Sequence, residues 1–189
     1  MFNKPYKDSG IFPCDAKETI RFYKELGFFS DMSADEIIAE HKRIEGFEPV
    51  IHEPWDEVNL LTFSKNGIWM DDPETLWGPK FTTYTKLLIE WAGISHGAFK
   101  PEEIREIWGE PYHQGPIKLE FKLDGKKVSV SPNFYNDYMD LDVLKQVNEL
   151  IAASGRQFEL AADANFAIVF CLTAEQKVKM EERYFPFDW

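Results

Sequence analysis

Phe-Ala-Ile-Val-Phe-Cys-Leu, residues 166–172, is a run of seven apolar residues with no polar interruption. It is far shorter than the roughly 20 residues a membrane helix requires, and its length suits a strand covered on both faces. Residues 158–161 just before it read as a partner strand. Thr173 followed three residues later by Gln176 is a capping-box signature, so a last helix should run to about Tyr184. Upstream, Leu141, Leu144, Val147, Leu150 and Ile151 form a helical stripe that starts beside Asp140 and is closed by Gly155. Further upstream, Ile117, Leu119, Phe121 and Leu123 alternate with charged or polar residues, Asp124 and Gly125 supply a tight turn, and Val128 and Val130 resume the alternation. The C-terminal half therefore reads ββαββα. The expected class is a single α+β domain over residues 1–189, its hairpins forming a mostly antiparallel sheet packed by helices.

The N-terminal half reads ααββαα. Asp15 with Glu18 and Ser33 with Glu36 each look like a helix start, with Gly27 and Gly46 as the stops. Residues 57–63 are strand-like, and Asn66 and Gly67 suit a tight turn into Ile68, Trp69 and Met70, so a hairpin is expected there. Tyr84, Leu87, Leu88 and Trp91 mark one face of a helix. Pro101, Glu102 and Glu103 suit the start of another that would end at Gly109. Nothing repeats at a fixed period, and residues 95–101 offer the best place for a boundary should the chain subdivide.

The chain carries 16 Phe, 7 Tyr and 6 Trp in a 44% hydrophobic composition, enough large side chains to offset the entropy of ordering. Its formal net charge is −12. Residues 1–95 hold 10 Lys/Arg against 17 Asp/Glu and residues 96–189 hold 11 against 16, so the acidity is spread over the whole chain. Such a surface repels nucleic-acid phosphates and anionic membranes, and it steers a cationic protein inward. The opening MFNKPYKDSGIFPC lacks the apolar core of a secretory signal. Two widely separated cysteines, Cys14 and Cys171, make no disulfide framework, and the simplest setting for them is a reducing cytoplasm.

Signatures of chemistry are missing from the sequence. His41, His52, His96 and His113 form no HExxH pair and no helical pair with ligand spacing, so no metal site is expected. Ser95, Ser129 and Ser131 lack a nucleophile-elbow context, the 11 glycines form no phosphate loop, and no cofactor is expected. Cys171, inside the apolar run, reads as packed and inert. Acidic residues gather at Asp71, Asp72 and Glu74 and again at Asp137, Asp140 and Asp142; Asp140 and Asp142 stand where a helix start favours negative charge. Trp91 and Trp108 fit apolar helix faces. Trp69 and Trp77, by contrast, flank the acidic loop, and aromatic groups beside carboxylates have the composition of a hot spot for Arg or Lys. The expected binding residues are accordingly Trp69, Asp71, Asp72, Glu74 and Trp77, with no catalytic residue assigned.

EWAGISHGAFKPEEIREIWG (residues 90–109), GPIKLEF (115–121), PNFYNDYMDLDVL (132–144) and Asn148 together resemble a family of small uncharacterised acidic bacterial proteins similar to immunity factors encoded beside polymorphic toxins. The resemblance spans about residues 55–189 and brings no catalytic motif. It implies a non-enzymatic cytoplasmic protein that covers a basic toxin domain. Two alternatives come from the residues: a hydrolase of carbohydrate or another small polar substrate with paired carboxylates, and a structural subunit of a bacterial assembly.

Overall fold

The computed structural model describes residues 10–71, 80, 82–111, 115–135, 139–162 and 166–188. The elements run α1 (Ala16–Glu25), α2 (Ala34–Glu45), α3 (Pro54–Leu61), β1 (Gly67–Asp71), α4 (Thr83–Ile94), β2 (Glu102–Trp108), β3 (Ile117–Leu123), β4 (Lys126–Val130), α5 (Val143–Ile151), β5 (Arg156–Ala162), β6 (Phe166–Thr173) and α6 (Ala174–Glu182). The strands form two antiparallel three-stranded sheets, β1-β6-β5 and β2-β3-β4. This is an α+β fold.

β6 is the middle strand of the first sheet, and its pleat explains why residues 166–172 are all apolar. Ala167, Val169 and Cys171 enter one hydrophobic cluster with Phe158 and Leu160 of β5, Trp91 of α4, Leu144 of α5 and Phe121 of β3. Ile168, Phe170 and Leu172 enter a second with Tyr23 of α1, Val58 of α3, Met180 of α6 and Phe185. A strand covered on both faces has no position left for a polar residue. Within residues 95–101, Ala98 and Phe99 pack into the first cluster and Ser95 and Phe99 are fully buried; the Ser95 hydroxyl donates to Ala92 O at 2.8 Å and accepts from Phe99 N at 3.2 Å.

Several local signals formed the elements they announce. Asp15 Oδ1 accepts from Lys17 N and Glu18 N at 2.9 and 3.1 Å, and Ser33 and Thr173 make reciprocal capping boxes with Glu36 and Gln176. Asp124 and Gly125 turn at φ 50 and 73°, joining β3 to β4.

Two expected elements are different. Residues 57–63 are not a strand: Pro54 opens helix α3 at its first turn, Asp56 Oδ2 accepts from His52 N and Glu53 N at 2.7 and 3.0 Å, and Glu57, Val58 and Leu61 lie on its buried side. β1 pairs instead with β6, Trp69 opposite Ile168 and Asp71 opposite Phe166. Gly67 is required there by close approach, since a Cβ would stand 2.8 Å from the Phe170 ring. Residues 102–108 are not a helix but strand β2, paired with β3 across a bulge at which Glu103 has φ 52°. Ile104, Glu106 and Trp108 turn inward while Arg105 and Ile107 face out. The inward Glu106 is fully engaged, accepting from Thr85 N and Thr85 Oγ1 at 3.0 and 3.3 Å and from Trp108 Nε1 at 2.9 Å. Its carboxylate thus caps the first turn of α4 from a neighbouring strand.

Candidate functional site: an apolar groove between α2 and α3

Helix α2 carries an apolar stripe longer than the core it packs on. Ile37 is fully buried and His41, one turn on, is 6% exposed, but Ile44 continues the same face and is 53% exposed. Gly46 then ends the helix at φ 85°, a left-handed conformation that glycine adopts without strain. The chain doubles back with Phe47 59% and Val50 54% exposed, until Ile51 is buried and its carbonyl accepts from Cys14 N at 2.9 Å. α3, through Asp56 and Asn59, and Phe63 just beyond its end form the opposite wall. Between the walls lies an open groove of about 570 Å³. Three of the seven large apolar side chains that are exposed among the described residues line this one feature.

His41 sets the floor. Its Nδ1 lies 3.0 Å from Phe47 O; a carbonyl only accepts, so Nδ1 donates to it. The ring meets Phe47 edge-on at 5.5 Å and Phe63 tilted at 5.3 Å. Charge around the groove is one-sided. Glu45 and Asp56 line it, and no lysine or arginine does among the described residues. The adjacent cations are occupied, Lys42 by Glu48 at 3.1 Å and Arg43 by Glu40 at 2.6 Å.

Trp69 and Asp71 are on β1, an edge strand, where the backbone pairing with β6 is fixed; Asp72, Glu74 and Trp77 lie outside the described residues. Of the second acidic group, Asp137 is also outside them. Asp140 is no helix cap: it is 3% exposed, and its carboxylate accepts from Asn133 N at 2.6 Å and Asp142 N at 3.0 Å, while its own N–H donates to Tyr84 Oη at 2.8 Å. Asp142 holds the N-cap position of α5 but pairs with Lys145 at 2.8 Å and accepts no helix N–H through its side chain. Trp91 is fully buried on α4, as expected; Trp108 is half-buried on a strand rather than on a helix.

A second concentration of polar groups is closed on itself. Glu57 of α3 is fully buried; its Oε1 accepts from both Nε, at 2.9 Å, and Nη2 of Arg183, and its Oε2 accepts from Tyr23 Oη at 2.5 Å. The guanidinium lies 4.8 Å from the Phe22 ring centroid and its Nη2 is 3.4 Å from both Cys14 Sγ and Thr19 Oγ1. Burial raises the Glu57 carboxyl above its ordinary value, against the opposing pull of Arg183 and Tyr23. These polar groups are satisfied by neighbours within the fold. Cys171 is likewise structural: it is 3% exposed, and burial pushes its thiol up to about 11. Both cysteines are free.

Among the described residues no helix is long and apolar enough to cross a membrane, and no group of three His, Cys, Asp or Glu is placed to hold a metal ion. No family model, curated protein or solved structure matches the chain.

The groove was within reach of sequence reading only in part. Ile37, His41 and Ile44 at helical spacing announce one face, but only the position of α3 decides where that face leaves the core.

Proposed function

We propose that this chain is a non-enzymatic, cytoplasmic binding protein that masks a basic protein partner, in the manner of an immunity protein blocking a cationic toxin domain. The observation that carries the reading is the α2–α3 groove: exposed Ile44, Phe47 and Val50 beside Glu45 and Asp56, with no lysine or arginine in its lining among the described residues, on a chain of net charge −12. An apolar centre that excludes water within a charged surround is the anatomy of a specific interface. The global negative charge adds speed and selectivity, since it draws a cationic surface in and turns phosphate backbones away. A nuclease domain must be cationic to hold its substrate, so a protein of this charge competes for the same surface.

The test is affinity capture on the immobilised chain from its own cell of origin, identification of what is retained, and assay of that partner with and without the chain. The expected result is a cationic protein whose activity falls at equimolar chain. Retention of no cationic protein, together with turnover of a small polar substrate by the chain itself, contradicts the proposal.

A further inference from the structure

We infer that the α2–α3 groove receives an arginine of the partner flanked by an apolar residue, the guanidinium entering over His41 and the apolar neighbour covering Ile44 and Val50. This rests on the binding function proposed above and names the element that would be bound. Two features select an arginine. The lining offers the carboxylate of Glu45 and that of Asp56, whose Oδ2 also caps α3, and no lysine or arginine among the described residues. The ring faces and edges of Phe47 and Phe63, both against His41, offer a surface on which a planar guanidinium stacks and along which its aliphatic stem packs. Lysine satisfies the charge but has neither the plane nor the fork.

A second copy of this chain is the competing occupant, and charge argues against it. In a two-fold contact the same patch meets itself, so Glu45 and Asp56 of one copy would face those of the other across an apolar centre, with each chain at −12.

The experiment is a titration of the intact isotope-labelled chain with a short synthetic peptide carrying one arginine between two leucines, followed by amide and imidazole shifts. Its Arg→Lys, Arg→Gln and Leu→Ser counterparts are titrated alongside. The expected result is saturable shifts at His41, Ile44, Phe47 and Val50. Binding should weaken about fivefold or more with Arg→Gln, with Leu→Ser, and with Phe47→Ala or Glu45→Gln in the chain. Both chain substitutions are at exposed positions, so their unchanged amide spectra away from the groove will show an intact fold. Absence of shifts at millimolar peptide, shifts elsewhere, or equal binding of the Arg→Gln peptide overturns the inference. Self-association abolished by Phe47→Ala also overturns it, giving the groove to a second copy. The two proposals fail separately: a cationic protein that binds equally well to wild type and Phe47→Ala removes the arginine groove and leaves the binding function standing.

Discussion

Arg183, at the end of α6, clasps Glu57 in α3 across 126 residues of sequence, joining the last helix to the N-terminal helical layer through a fully buried carboxylate. Removing only the cation leaves that carboxylate without its counter-charge, so Arg183→Met should cost about 3–5 kcal/mol at neutral pH by chemical denaturation. The pH dependence of the deficit has a definite sign. Burial already raises the Glu57 carboxyl in the wild type, and losing Arg183 raises it further. A carboxyl raised on folding contributes stability below its unfolded value and loses it as pH rises through the folded value. The Arg183→Met deficit should therefore shrink as pH is lowered toward the ordinary carboxylate range. A loss below about 1 kcal/mol, or one that grows in acid, contradicts this role for the pair.

Glu106 makes a second long-range tie that can be tested by truncation. Glu106→Ala removes the acceptor for Thr85 N and for the Trp108 indole, and should cost about 1–2 kcal/mol, with the denaturant midpoint moving and the slope unchanged. Glu106→Gln keeps one acceptor oxygen and should lose less. Equal stability of Glu106→Ala and wild type would show that α4 needs no cap from β2.

Cys171 should resist thiol reagents in the native protein and react fast once unfolded. Burial holds its folded thiol at about 11 against an ordinary value of 9.0, so the unfolded chain releases the proton first as pH rises. Stability linked to this group is intact below pH 9 and is lost progressively up to about 11. Cys171→Ala should flatten that alkaline slope in denaturation experiments. Rapid labelling of native Cys171 contradicts its placement.

What the sequence conveyed depended on how far each signal had to reach. The caps at Asp15, Ser33 and Thr173 act within four residues, as does the turn at Asp124 and Gly125, and all were legible. The double-faced burial of β6 was legible from its unbroken apolar run. Residues 57–63 suggest a strand because Val58, Leu60 and Leu61 satisfy a strand as readily as a short helix, although Pro54 and Asp56 carry the helical start. Pro101, Glu102 and Glu103 imitate a helix start; what makes β2 a strand is pairing with β3, and the inward Glu106 makes sense only beside α4. For the site, composition drew attention to Trp69, Asp71, Asp72, Glu74 and Trp77, whereas the geometry displays apolar side chains at Ile44, Phe47 and Val50. Their exposure follows from where α3 leaves α2 uncovered, a relation between two helices that neither sequence segment contains.

Electrostatic steering of a cationic protein onto this acidic chain is measured most directly by stopped-flow association with the captured partner across a salt series. The association rate should fall steeply as salt rises and shortens the screening length from about 10 Å at 0.1 M, while dissociation changes little. Neutralising Asp71, Asp72 and Glu74 together should slow association, whereas Phe47→Ala should chiefly speed dissociation. An association rate indifferent to salt and to both sets of substitutions would rule steering out.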